Sequence, residues 1–283
     1  MENLTPDEIL IVVFHTRQEP WEEIVREGQF KTWVPVALRK GFRVAYCFGP
    51  KPNKFIKKFD VWNENLRWHH GARVSDFRNA VNRMIATPFR SCMPQIKIVN
   101  YGGAPEGVTG MQANIWDAYV TGRWRQLAIF RYFLNDKKAK YLVLLTSAAY
   151  IQPELLLKRI SLIEKEVVYA GPFLEKDTAS QFVGGAQVVI NKKFAKLMID
   201  NRKKIPVEYL NDLGLAFAAK ELKVQPIELP SMNFSSLEEL NKANHEILRD
   251  NYHFRLKSFK LGKRNDVELF HLINEILGAS AKP

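Results

Sequence analysis

The sequence predicts an α/β fold: one domain over residues 1–283, with a central, mostly parallel mixed sheet flanked by helices. Three observations predict it. The runs Ile9–His15 (ILIVVFH) and Tyr141–Leu145 (YLVLL) are continuous and apolar, as strands covered on both faces are. Stretches with helical spacing lie between such runs, the order that produces parallel strands. No repeat or low-complexity linker divides the 283 residues, which are enough to bury one large core.

The elements follow in order. Ile9–His15 is the first strand. Glu22–Arg39 has helical spacing, with a break expected near Pro35. Phe42–Phe48 (FRVAYCF) is a second strand, stopped by Gly49-Pro50, and Gln95–Asn100 is a short third. Asn114–Asn135 reads as one long amphipathic helix with Ile115, Ala118, Leu127, Phe130 and Leu134 inward. The strand Tyr141–Leu145 precedes a helix that Pro153 opens at its first turn. Later come a short strand at Val167–Ala170, a strand Gln181–Ile190 interrupted by Gly184-Gly185, a helix Asn211–Leu222 and a strand Val224–Leu229. The tail holds an extended stretch, Tyr252–Lys260, and a capped helix from Asn265 to Leu277. In such sheets ligands sit beyond the carboxyl ends of the strands, which assigns His15-Thr16-Arg17, Phe48-Gly49-Pro50 and Thr146–Tyr150 to one rim.

Composition narrows the class. Two cysteines give no disulfide framework and fit a reducing compartment. The acidic start MENLTPDEIL is unlike a secretory leader, so the expected location is the cytoplasm, with peripheral association at a membrane surface. Net charge is +12, which suits nucleic acid, an anionic membrane or a phosphorylated substrate. The basic residues are scattered, without an arginine-rich arm, zinc-finger spacing or RNA-binding aromatic signature, so nucleic acid is not expected as a partner.

Several motifs, in order, give the chain a resemblance. Gln29-Phe30-Lys31-Thr32-Trp33 precedes the second strand, and Asp117-Ala118-Tyr119 is followed by Arg125. The strand ending Leu144–Pro153 carries an aromatic and then a proline. Gly184-Gly185-Ala186 lies in a later strand, and Asn211-Asp212 opens a helix. Between Ile9 and Leu229 the chain resembles the Fringe and β-1,3-galactosyltransferase group of inverting glycosyltransferases, which have a GT-A fold. It departs from that group in two places. Phe30 stands where the group has arginine, and Thr146-Ser147-Ala148-Ala149 stands where it has an acidic triplet.

The resemblance implies transfer of a sugar from a UDP-sugar to a hydroxyl of a glycan or glycolipid, with inversion. It implies a nucleotide-binding half (1–150) and an acceptor-binding half with a tail (151–283). A non-catalytic nucleotide-sugar- or glycan-binding relative is the alternative. Asp212 is the expected base, since an inverting displacement needs one carboxylate to take the acceptor proton. An aspartate opening a helix is equally a preferred cap. Thr16 and Arg17 are expected near the nucleotide, and Arg125 near its diphosphate. Gly184 and Gly185 would line the site or form a bulge. His253, Arg255 and Lys257 alternate in an extended segment and would face one side as a diphosphate clamp, with His253 also a metal ligand in the resemblance; an exposed edge strand explains the row as well. Thr146, Ser147, Ala148 and Ala149 hold the place of the metal motif. Mg²⁺ or Mn²⁺ belongs there only if the position of Ala148 or Ala149 is natively acidic, and otherwise no cofactor is expected. Trp116 is expected in the core and His271 half-buried on the final helix, His69-His70 read as loop surface, and Trp62 and Trp68 as sugar-stacking or core-filling rings.

Overall fold

In the computed structural model, residues 4–54, 57–58, 92–117, 121–174, 182–206, 211–257 and 264–278 are described. β1 (Ile9–Phe14) leads to a helical run from Trp21 that is π-helical over Ile24–Gly28 and 3-10 over Gln29–Lys31. α1 (Trp33–Arg39) follows. The run breaks at Gly28–Thr32 and not at Pro35. Pro35 lies in the first turn of α1, where a missing N–H breaks no helical bond.

Next come β2 (Arg43–Phe48), β3 (Ile96–Val99), β4 (Thr109–Ala113) and α2 (Gly122–Asn135). α2 is shorter than the spacing predicts, because 109–113 is a strand and its exit occupies the residues before Asp117. β5 (Tyr141–Thr146), β6 (Ala149–Ile151) and α3 (Pro153–Ser161) complete the first half. The second half contains β7 (Tyr169–Gly171), β8 (Phe173–Leu174), β9 (Phe182–Val183), β10 (Gln187–Asn191), α4 (Lys192–Asp200) and α5 (Asn211–Glu221). It continues through β11 (Ile227–Glu228), β12 (Met232–Phe234), α6 (Leu237–Asn241), α7 (His245–Asp250), β13 (His253–Leu256) and α8 (Asp266–Gly278).

Eight strands form the main sheet in the order β11-β7-β10-β5-β1-β2-β4-β3. All run the same way except β10 and β3. Alternate residues of β1 explain its unbroken apolar run. Ile9, Ile11 and Val13 enter one core with α1, α3 and α8, and Leu10 and Val12 enter another with α2, α4 and α5. Each such side chain contributes about 1.5–3 kcal/mol on burial, so the central strands are anchored from both faces. A smaller sheet has the order β12-β13-β6. It carries Tyr252, Phe254 and Leu256 into the first core. No helix among the described residues is long and apolar enough to cross a membrane.

Candidate functional site at the carboxyl rim of the sheet

β5 ends at Thr146, whose N–H donates to the Ala186 carbonyl at 3.3 Å. The chain then turns and enters β6, where Ala149 lies opposite Arg255 of β13. One buried side chain holds this turn. The Gln29 amide donates to the carbonyls of Thr146 (3.3 Å), Ser147 (3.0 Å) and Ala149 (3.0 Å), and its oxygen accepts the Tyr46 hydroxyl at 2.7 Å. Ala148 and Ala149 are 3% and 0% exposed. Positions 148 and 149 therefore present no side chain to a ligand, contrary to their expected place in the nucleotide site. Thr146 is half-buried and Ser147 is buried.

Beneath the turn lies a polar cluster. His15 Nδ1 is 3.2 Å from Ser147 Oγ, and its Nε2 is 3.0 Å from Glu22 Oε2 and 2.9 Å from the Tyr101 hydroxyl. Tyr101 donates to the same Glu22 oxygen at 2.9 Å. Burial lowers the His15 pKa and outweighs the opposing pull of Glu22, so the ring is neutral. Burial acts to raise the Glu22 pKa, but the bonds from His15 and Tyr101 outweigh it and hold the carboxyl below its usual range. An ionised carboxylate only accepts. Nε2 therefore carries the imidazole proton and Nδ1 accepts from Ser147.

Arg125 differs from its expected role. It is 4% exposed, is ion-paired to buried Asp117, donates to the His15 carbonyl at 2.9 Å and lies 3.8 Å from the centre of the Phe14 ring. Its charge is committed to Asp117, so it supports β1 from below and is not an open phosphate clamp. Asp117→Asn should lower stability by about 2–3 kcal/mol, because the buried guanidinium would lose its counter-charge. Urea unfolding of both chains measures this.

Arg17 lies at the surface of the same rim, 44% exposed, 5.3 Å from the ring centres of both Phe48 and Tyr101 and 4.0 Å from Glu22. Thr16 accepts from Gln18 at 3.2 Å. Gly49 allows the adjacent backbones to meet, since a Cβ there would stand 2.1 Å from the Ile115 carbonyl. The loop it admits leaves Trp116 40% exposed, against its expected burial.

Asp212 opens α5 and is partly exposed. Its Oδ2 accepts from the Gly185 N–H at 3.2 Å and its Oδ1 from the Leu213 N–H at 2.9 Å. A Cβ on Gly185 would stand 3.1 Å from Oδ2, so glycine there permits the close approach. Gly184 bonds to the Pro172 carbonyl at 2.7 Å, and the two glycines separate β9 from β10.

The tail also departs from expectation. His253 is fully buried, its Nδ1 is 2.7 Å from Ser231 Oγ, and burial with the nearby charge of Arg255 pushes its pKa to about 3. It supplies no positive charge to a diphosphate at neutral pH. Arg255 is half-buried, and Lys257, also half-buried, lies 5.9 Å from the Trp21 ring centre. His271 is exposed. Because the folded pKa of His253 lies below its unfolded value, the unfolded chain gains a proton first. This residue should lower stability progressively as pH falls from about 6.5 toward 3, by at most about 1.4 kcal/mol per pH unit. A shallower acid limb of melting temperature against pH in His253→Asn checks this.

These donors do not fit a divalent cation. Positions 146–149 offer hydroxyls and methyls, His253 is sealed, and among the described residues no three His, Cys, Asp or Glu side chains cluster suitably. Tyr119, His69-His70, Trp62 and Trp68 lie outside the described residues. Sequence reasoning passed over Gln29, Glu22 and Tyr101. Nothing local in the sequence marks any of the three.

No protein-family model matches the sequence, and no curated protein matches it. Solved structures similar to it include three at low identity. One is a glycosyltransferase involved in glycosylation of the major capsid of PBCV-1 (10% identity, 93% of this chain and 98% of that one, TM-score 0.43). Another is described as a nucleotide-diphospho-sugar transferase from Desulfovibrio desulfuricans G20 (13%, 98% and 98%, 0.42). The third is the glycosyltransferase GlyE of Streptococcus pneumoniae TIGR4 (8%, 96% and 62%, 0.44). At these TM-scores the likeness carries no functional argument.

Proposed function

We propose that this chain is a GT-A-like glycosyltransferase that moves a sugar from a UDP-sugar to a hydroxyl of a glycan or glycolipid with inversion. One observation carries the reading: a continuous bonded path joins the residues that the ordered motifs single out. It runs from Asp212 to Gly185, through Ala186 to Thr146, and from Ser147 to His15, Arg125 and Asp117. Residues from His15 to Asp212, nearly two hundred apart in sequence, are thus linked beside the carboxyl ends of the strands, where ligands of α/β sheets bind.

In this reading Asp212 takes the acceptor hydroxyl's proton as that oxygen attacks the anomeric carbon. The bond to UDP breaks on the opposite face, and UDP leaves with the electron pair. Arg17, with Arg255 and Lys257, offsets the leaving diphosphate. No step runs through a metal. The net charge of +12 also suits an anionic membrane bearing the acceptor.

Calorimetric titration with UDP, with and without Mn²⁺, tests the reading together with UDP release from a panel of UDP-sugars. The expected result is binding that Mn²⁺ alters less than a few-fold, with release of UDP from one donor. Binding without turnover would identify a non-catalytic nucleotide-sugar-binding relative. No binding would overturn the proposal.

A further inference from the structure

Ser147, His15 and Glu22 form a connected set to which the proposed sugar transfer gives no chemical step. Ser147 Oγ is 3.2 Å from His15 Nδ1, and His15 Nε2 is 3.0 Å from Glu22 Oε2. Tyr101 bonds both His15 Nε2 and Glu22 at 2.9 Å. Each contact has the partner its chemistry requires: a hydroxyl donor on the accepting ring nitrogen, and a carboxylate on the protonated one. That is the relation of nucleophile, base and orienting acid, with the two ring nitrogens exchanged relative to the familiar serine hydrolase arrangement. The serine also stands in the turn beyond a central parallel strand, at the reactive rim.

A purely structural bond would serve to hold the turn, but Gln29 already holds the carbonyls of Thr146, Ser147 and Ala149. The His15 contact adds polarisation of Oγ to a turn fixed by other means. Tyr46, with its ring centre 6.0 Å away, and Tyr101 wall the imidazole, and the Arg125–Asp117 pair lies behind its backbone.

We propose that Ser147 is an activated nucleophile that accepts a short acyl group from a carboxylic ester, a reaction independent of the sugar transfer proposed above. Ser147 is only 5% exposed, so a small acyl donor is the fitting probe. In the first step the Ser147 Oγ–carbonyl bond forms, and the serine proton passes to His15 Nδ1. The ester C–O bond then breaks, and the leaving alkoxide takes that proton from His15. In the second step water attacks the acyl-serine and gives a proton to His15; the acyl C–Oγ bond then breaks, the carboxylic acid leaves, and His15 returns that proton to Ser147 Oγ. Glu22 and Tyr101 steady the imidazolium between the two transfers.

The test uses the full chain with 4-nitrophenyl acetate and, separately, an alkyl fluorophosphonate followed by peptide mass mapping. The expected result is one phosphonyl adduct, on Ser147, and a burst of nitrophenol. Ser147→Ala should abolish both, and Glu22→Gln should slow labelling at least ten-fold while far-UV dichroism and melting show that the fold is retained. An unmodified Ser147, hydrolysis unchanged in Ser147→Ala, or labelling at the original rate in Glu22→Gln would overturn the proposal. Because no UDP-sugar is present, failure here leaves the glycosyltransferase test untouched.

Discussion

Replacing Asp212 with asparagine is expected to lower sugar transfer by about 10²–10⁴-fold, the usual contribution of a positioned general base. UDP affinity should stay within a few-fold. The substitution is nearly isosteric. Asp212 accepts from two backbone donors, Gly185 N–H and Leu213 N–H. An asparagine oxygen still accepts from one of them, so the entry of α5 is retained with a cost of about 1 kcal/mol or less. The lost property is basicity, since an amide takes no proton from a hydroxyl. Initial rates under saturating donor and acceptor, with a parallel UDP titration, separate the two effects. Turnover within about two-fold of the original would refute the assignment and leave Asp212 as a helix cap alone. A parallel fall in UDP affinity would make it a binding residue.

The parts of this fold that sequence reveals are those whose burial is symmetrical. β1, β2 and β5 are continuous apolar runs because both faces of the sheet are covered, and their carboxyl ends point to the rim. The glycine pair between β9 and β10 and the acid opening α5 were legible for a related reason: each is a local backbone requirement. Charged residues were misread where tertiary packing decides. Arg125 has the spacing of a helix-surface charge, yet the first turn of α2 is pressed against β1 and the guanidinium stacks on Phe14. Period-two alternation puts His253 and Arg255 on one face of β13, but it does not say whether that face is covered. β13 is the middle strand of the small sheet, and His253 is sealed at its start. Gln29 is the furthest from prediction. Its partners lie about 117–120 residues away, and no local pattern encodes a single amide serving three carbonyls.

Placing an acid in the turn tests whether a carboxylate alone would make it a metal-dependent site. Ala149→Asp should lower stability by about 4 kcal/mol or more, among the largest effects of any single substitution. Ala149 is fully buried at the start of β6, opposite Arg255, and Gln29 already occupies its carbonyl. A carboxylate there is cut off from water, and its pKa should rise until it is held neutral. A neutral buried acid is no ligand for Mn²⁺. Thermal melts should show a fall of many degrees that Mn²⁺ does not reverse, and Ala148→Asp, at a position 3% exposed, should shift in the same direction. The opposite outcome is as informative. If millimolar Mn²⁺ raises the melting temperature of Ala149→Asp and increases UDP release ten-fold, the turn can swing outward and the rim retains the geometry of a metal site. If it does neither, one added acid does not make a metal site of this turn. The turn is then held by Gln29 in a form that hosts no metal, and under the proposed function the charge for the diphosphate would come from Arg17 and its basic neighbours.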